Sequence, residues 1–320
     1  MQQDNKMAIE SPFHEGELWV QQQAGETQAA QQNGRIIADT IIAGGLKFIQ
    51  QQPLVIFASL NEQQIWASIL IGHPGFMNPI DPRRVDFDLS QTLHSEHDPL
   101  WRNITHHPQV GTLIIDLATR RRLRINGTVD RSSPNSLRLD VAESYPNCPK
   151  YIQRRHLTIQ FDRLRAVEEP QQGQSLSAEQ QSIVAKSDTF FVASTHPTRG
   201  VDASHRGGEP GFVQILSPNQ LRIPDYAGNG MFNTLGNFNV DPRAGLLFID
   251  FERDRLLQLT GRAEILWELN AAIDPTGGTR RYWQFEIEQW QTTGLSRSLR
   301  WEFLDASPYN PKKLPLAGDR

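Results

Sequence analysis

The chain has 320 residues, 38% of them apolar, with 32 Lys and Arg against 36 Asp and Glu and a net charge of −4, which suffices for one large core or two ordinary ones. The near-balance of charge argues against a global field for nucleic acid or anionic lipid, and the single cysteine, Cys148, excludes an internal disulfide and a cysteine-based zinc cluster. No apolar run reaches the roughly 18–20 residues that a bilayer demands, and residues 1–10 lack a signal peptide's apolar stretch, so a soluble, cytoplasmic protein is expected.

In chain order, residues 35–52 place Ile37, Ile41, Ile42, Leu46 and Ile49 at helical spacing and stop before Pro53, which predicts a helix covering a barrel end. Residues 54–58, 113–115, 189–193 and 246–251 are short runs rich in β-branched and aromatic side chains, and read as strands. Residues 122–129 and 255–263 alternate loosely, each with a glycine where a strand could bulge. Pro-Gly at 74–75 and 210–211 marks turns. A short helix fits 232–240, closed by Asp241-Pro242. The polar stretch 168–182 reads as a linker, and 307–320 as an extended or frayed tail.

A repeat organises these elements. Residues 67–76 (Ala-Ser-Ile-Leu-Ile-Gly-His-Pro-Gly-Phe) return 136 positions later as Ala-Ser-His-Arg-Gly-Gly-Glu-Pro-Gly-Phe. Residues 108–116 return at an offset of 134, as do Asn126-Gly127 in Thr260-Gly261, and Ala58-Ser59 corresponds to Ala193-Ser194 at 135. Matched segments that keep their order at a nearly constant offset indicate a tandem duplication. Several short strands with one small helix per unit predict a mainly β barrel rather than a βαβ sheet.

The copies differ at two places. Ile69-Leu70-Ile71 becomes His205-Arg206-Gly207, and Asp98-Pro99-Leu100-Trp101 becomes Phe232-Asn233-Thr234-Leu235. The second copy thereby gains groups suited to phosphate. Arg206 offers a planar donor fork, Gly207-Gly208 lets backbone N–H groups approach a ligand, and Asn233 and Thr234 stand at a helix start whose dipole favours an anion. Ser204 adds a hydroxyl.

The run 202–213 (Asp-Ala-Ser-His-Arg-Gly-Gly-Glu-Pro-Gly-Phe-Val), then 223–229, 233–237, 242–251 and 260–263, resembles the pyridoxamine 5'-phosphate oxidase-related, FMN-binding split-barrel family. Residues 13–17 and 146–153 resemble its two-copy bacterial branch. The resemblance implies tandem FMN-binding split barrels forming an intrachain pseudo-dimer: an N-terminal extension with packing helix at 1–52, a first barrel at 53–167 degenerate for phosphate, the linker at 168–182, a second barrel at 183–306 and the tail. It implies one FMN per chain. Ser204, His205, Arg206, Gly207 and Gly208 would lie on one side of the phosphate and Asn233, Thr234 and Asn237 at the helix start. Phe212 and Val213 would line the ribityl chain or ring. Trp66 and Ser68, near Pro74, would cover the ring, and Arg300 and Trp301 would approach it. No counterparts of the arginines that true oxidases use on substrate phosphate can be placed, which puts pyridoxamine phosphate oxidation in doubt. A flavoprotein oxidoreductase fits, and the alternative is a non-catalytic FMN-binding or haem-related split-barrel protein, the last by family analogy with split-barrel relatives that degrade haem. A nicotinamide or small-molecule electron partner is compatible with the first, although no G-x-G-x-x-G precedes a helix. A homodimer is compatible with either.

Other readings weigh less. His94, His97, His106 and His107, with Glu96 among them, match no defined metal or haem spacing, and His196 and His205 are placed nearer the flavin. Arg120-Arg121-Arg122 and Arg124 read as a solvated hairpin rather than a nucleic-acid face. Cys148 has no base that sequence can pair with it. Asp116 and Asp250 end matching strands in both copies, which points to folding rather than catalysis.

Overall fold

The computed structural model describes residues 11–164, 169–267, 275–294 and 297–311. Three helices lead, α1 Glu15–Gln23, α2 Thr27–Gly34 and α3 Ala43–Gln50. The first copy follows as β1 Leu54–Leu60, β2 Ile65–Gly72, β3 Met77–Asp81, β4 Arg84–Asp88, β5 Thr92–Leu93, α4 Pro99–His106, β6 Gln109–Asp116, β7 Arg121–Ser133, β8 Ser136–Pro146 and β9 Arg154–Leu164. After β10 Gln171–Gly173 and α5 Ala178–Lys186, the second copy runs β11 Thr189–His196, β12 Gly200–Gly207, β13 Gln214–Ser217, β14 Gln220–Pro224, α6 Asn233–Val240, β15 Arg243–Asp250, β16 Arg255–Leu266, β17 Tyr282–Gly294 and β18 Arg297–Asp305.

The duplication is visible in the topology. One antiparallel sheet has the order β3-β4-β8-β7-β6-β1-β2-β5 and the other, read from its far edge, β13-β14-β17-β16-β15-β11-β12. Position for position these are the same strands of the repeat, and the last strands of the two copies, β9 and β18, pair with each other. The molecule is mainly β, a tandem pair of curled, barrel-like sheets related as the halves of a pseudo-dimer.

Strands buried on both faces explain why the sequence showed continuous apolar runs instead of alternation. In β1, Val55 and Phe57 enter the first barrel's core with Phe87 and Ile125. Leu54, Ile56 and Ala58 point the other way, into a shared core with Phe191, Ala193, Val201 and Leu247 of the second copy. The second barrel has its own core around Phe190, Phe248 and Trp283. Glycine is required where the barrels meet. A Cβ on Gly111 would stand 2.3 Å from the Val201 carbonyl oxygen, and one on Gly245 would stand 2.6 Å from that of Ile65. The contacts are reciprocal, as in an isologous interface. The register slips at Asn126/Gly127 and at Thr260/Gly261, the bulges expected from the two glycines. Asp116 and Asp250 each accept from backbone N–H groups of the turn that follows, Ala118 at 3.0 Å and Glu252 at 3.1 Å, which is the folding role their repetition suggested.

Three sequence readings change. Only Ala43–Gln50 of residues 35–52 is helical. Ala38 instead exchanges backbone hydrogen bonds with Ser144, and the Ile41 N–H donates to the Pro82 carbonyl at 2.8 Å, so the edge of the first sheet holds 38–41 out of the helix. The stretch read as a linker carries β10, which pairs with β17, and the start of α5. That helix opens on a capping box between Ser177 and Gln180, an S-x-x-Q signal visible in the sequence. The tail begins docked, with the Ser307 N–H donating to Gln153 Oε1 at 2.7 Å, while 312–320 lie outside the described residues. Among the described residues no helix is long and apolar enough to cross a membrane.

Candidate functional site

Alternation along β12 puts Ser204 and Arg206 on one face, and along β7 it does the same for Arg122 and Arg124. The two faces meet in a pocket at the junction of the copies, completed by Lys150 and Tyr151 from the β8–β9 connection, Asp225 and Tyr226 after β14, and Asn233 and Thr234 at the start of α6. Phe232 precedes the helix in the left-handed conformation (φ 61°, ψ 29°) and no side chain caps its first turn, so the dipole end with its backbone N–H groups borders the pocket.

Thr234 Oγ1 donates to Ser204 Oγ at 3.2 Å, and the Arg124 guanidinium also reaches Ser204 Oγ. Arg124 is anchored from behind by Tyr145 Oη at 2.7 Å and Asp202 Oδ1 at 3.2 Å. Arg122 Nε donates to the Cys148 carbonyl at 2.8 Å. Among the described residues the one carboxylate near Arg206 is Asp225 at 4.0 Å, already engaged by Arg281 at 3.1 Å. Burial, assisted by the neighbouring Arg124 and Arg206, lowers the Arg122 guanidinium to about 9, and burial with Arg124 nearby also lowers Arg206. Burial and the same guanidinia push His205 well below its ordinary range, so it is neutral. Among the described residues Arg124 Nε and Arg206 Nε are buried without a hydrogen-bond partner, whereas the His205 ring lies on the opposite face of β12, against Phe191. Crowded cations, unpaired donors and an uncapped helix start fit an anionic phosphate ester, since such a group supplies the missing acceptors and the missing negative charge.

The matching place in the first copy carries different side chains. Leu70 stands for Arg206, Leu256 for Arg122, Gln258 for Arg124, and Pro99-Leu100 for Asn233-Thr234. Gln258 Nε2 donates to the Ala67 carbonyl at 2.9 Å, to Asp98 Oδ2 at 3.1 Å and to Ser68 Oγ at 3.3 Å.

Of the residues chosen from sequence, Ser204, His205, Arg206, Gly207, Phe212, Asn233 and Thr234 border the pocket. Phe212 lies in an aromatic wall with Tyr226 and Tyr151, whose ring centroids are 5.0 Å apart. Gly208 lies beside the wall, where a Cβ would meet the Phe212 ring at 2.6 Å. The others are elsewhere. Val213 is buried in the second barrel's core. Asn237 faces away from the pocket, bonding Ser194 at 2.9 Å and Asp202 at 3.1 Å. Trp66 and Ser68 are buried on the first-copy side, Ser68 donating to Asp98, and neither borders this pocket. Arg300 and Trp301 sit on β18 opposite Thr158 and Leu157, and Trp301 borders a different hollow with Pro53 and Pro74.

Among the described residues no three of the four loop histidines and their acidic neighbours bring ligand atoms within 4.8 Å of one another. His94 bonds Thr92 at 2.7 Å and pairs with Glu96 at 3.3 Å. His196 lies not at the pocket but against His14, with ring centroids 4.1 Å apart and Glu15 beside it. That cluster is a poor metal site. His14 Nδ1 accepts the Gly16 N–H at 3.1 Å and His196 Nδ1 accepts the Thr198 N–H at 3.2 Å, which leaves each Nε2 as a donor, to Asn237 at 3.0 Å and to Glu15 at 3.1 Å. Neither ring has a lone pair to give.

Sequence reasoning missed Arg122, Arg124, Lys150, Tyr151 and Asp225. The Arg-x-Arg spacing on a strand was the available signal for the first two, because it puts both on one face. It was read as a solvated turn because nothing local shows that this face meets the other copy. Also missed was a buried acidic group behind α6. Glu17 Oε1 accepts from Asn233 Nδ2 and Oε2 from the His14 N–H at 2.9 Å, and Asp202 and Glu143 share Asn126.

Paired antiparallel, barrel-like sheets place the molecule in the split-barrel class. Residues 176–294, the greater part of the second copy, match the family model described as pyridoxamine 5'-phosphate oxidase. No curated protein matches the chain. Among solved structures, a candidate pyridoxamine 5'-phosphate oxidase from Lactobacillus delbrueckii is similar at 14% identity over 37% of this chain and 94% of its own, with a TM-score of 0.30. A Clostridium acetobutylicum protein related to general stress protein 26, of the pyridoxinephosphate oxidase family, is 14% identical over 39% and 92%, TM-score 0.27. An FAD-binding protein from Mesorhizobium loti is 11% identical over 41% and 99%, TM-score 0.28.

Proposed function

We propose that the chain is an FMN-binding flavoprotein that holds one flavin mononucleotide between its barrels and acts as an oxidoreductase. The observation that carries this reading is the convergence of Arg122 and Arg124 from the first copy with Ser204, Arg206 and the uncapped start of α6 from the second. A phosphate at that end is met by guanidinium forks, hydroxyls and helix N–H groups at once. Phe212, Tyr226 and Tyr151 offer an aromatic wall leading away from it, suited to the rest of a flavin nucleotide. The bound flavin would supply hydride or electron transfer, and the protein's part is to hold the phosphate and fix the orientation. The different side chains at the first-copy seat support one flavin per chain. The absorption spectrum of the purified protein and the mass of the released chromophore test the reading. A flavin spectrum with FMN released at one per chain is expected, and a colourless protein that takes up no added FMN overturns it. Oxidation of NADH or NADPH faster than by free FMN would distinguish turnover from binding alone.

A further inference from the structure

Superposing the repeat on itself gives the first-copy seat a meaning. Ser68 matches Ser204, Asp98 matches Phe232, Leu100 matches Thr234 and Gln258 matches Arg124. In the first copy the Asp98 carboxylate gathers all three partners. Ser68 Oγ and the Leu100 N–H (2.9 Å) both donate to Oδ1, and Gln258 Nε2 donates to Oδ2 at 3.1 Å. The carboxyl group is buried at the start of α4, and burial raises it to about 6 against the three hydrogen bonds it accepts, so at neutral pH an anion sits at this helix N-terminus, held by a hydroxyl, a first-turn N–H and a side chain reaching over from the other copy. In the second copy the equivalent hydroxyl, N–H and cross-copy side chain are Ser204, Thr234 and Arg124. There the cap position holds Phe232, which brings no anion, and buried donors are left over.

We infer that both copies contain the same anion seat, that the first is permanently filled by the Asp98 carboxylate, and that this carboxylate marks the place where an oxygen of a ligand's phosphate sits in the second, against Ser204 Oγ, the Thr234 N–H and the Arg124 guanidinium. An intramolecular carboxylate outcompetes dissolved anions because it is never diluted, so the first seat is occupied rather than dismantled. Gln258 in place of Arg124 follows from this. A monoanion already supplied by the chain is satisfied by a neutral amide, whereas an incoming phosphate monoester, with its greater charge, requires a guanidinium. The inference concerns the same pocket as the flavin reading but does not depend on flavin.

The test removes the occupant and offers it back. Asp98→Gly deletes the carboxymethyl group at a cap position where glycine is tolerated. Thermal unfolding is then followed in sodium acetate and in sodium chloride of equal ionic strength, with the wild type and Asp98→Asn in both salts. The glycine variant is expected to lose several degrees in chloride and to recover at least half of the loss in acetate. The wild type and the asparagine variant, whose seats are full, should not distinguish the salts. Equal midpoints for the glycine variant in the two salts overturn the inference. Should that variant fail to fold in chloride, the yield of folded protein after refolding in each salt replaces the midpoint, with the same two outcomes. Acetate rescue in a chain that binds no flavin keeps this inference and removes the flavin reading, and flavin binding without acetate rescue does the reverse.

Discussion

Set side by side, the two equivalent seats show what a duplicated fold can exchange for a ligand. In the first, every polar group of the seat has a partner inside the chain, and the surrounding positions are Leu70, Leu256 and Leu100. In the second, burial and neighbouring guanidinia lower Arg122 and Arg206, and several buried donors stay unpaired among the described residues. The first seat contributes to stability. Filling of the second seat by the proposed ligand should raise stability. The scaffolding is common to both, since Asn103 and Asn237 each donate to the matching serine, Ser59 at 3.0 Å and Ser194 at 2.9 Å. The difference therefore lies in about six side chains on an unchanged backbone plan.

The largest expected effect separates the seats by chemistry. Arg122→Ala with Arg206→Ala removes two charge-assisted contacts of about 1.5–3 kcal/mol each, so flavin affinity should fall roughly 100-fold or more in a fluorescence titration. The mirror variant, Leu70→Ala with Leu256→Ala, should leave flavin at one per chain while lowering stability by about 2–5 kcal/mol per site in urea unfolding. If the mirror variant loses flavin equally, the two seats are not independent. The interface gives a symmetric control. Gly111→Ala and Gly245→Ala each force a Cβ onto the other barrel's backbone, and should cost similar amounts, about 1–3 kcal/mol or somewhat more.

A smaller effect is read in pH. Burial raises Glu17 from 4.5 to about 8, with the hydrogen bond from the His14 N–H opposing it. The folded state therefore holds a proton that the unfolded state has released, so this contribution is complete below about pH 4.5 and is lost as pH rises through about 8. Glu17→Gln should flatten that decline in denaturation curves taken at about pH 5 and about pH 9. An unchanged slope would mean that the carboxyl is not proton-bearing. The smallest effect is expected of Arg300→Ala. Arg300 is exposed on β18, and its loss should change stability by less than about 0.5 kcal/mol and leave flavin content as it was. A drop in flavin would extend the pocket toward the β9–β18 pair.

The sequence carried the duplication, the barrel class and the second-copy half of the pocket, because these rest on local signals: a recurring Gly-x-Pro-Gly-Phe turn, paired strand-length apolar runs, and polar groups at a helix start. It did not reveal Arg122 and Arg124, whose role exists only because β7 of one copy faces β12 of the other. The same non-local pairing misled the choice of Trp66 and Ser68. They were expected to reach across to the second copy's ligand, but they sit at their own copy's seat. The helix limits at 35–42 failed for a similar reason, since Ala38 finds a backbone partner in Ser144, over a hundred residues away. His14 and Glu17 were passed over as part of an N-terminal extension, yet they form the buried support behind Asn233 and Asn237.

The fusion of the two barrels into one chain has an evolutionary corollary. In a dimer of identical chains, any replacement of an arginine that serves one groove is made in the other as well, so neither groove can change alone. Once Gly111 and Gly245 meet their opposite barrels within a single polypeptide, each groove answers to its own codons. Leucines could then spread through one while guanidinia stayed in the other, and the molecule could shed half of its ligand capacity without surrendering the rest.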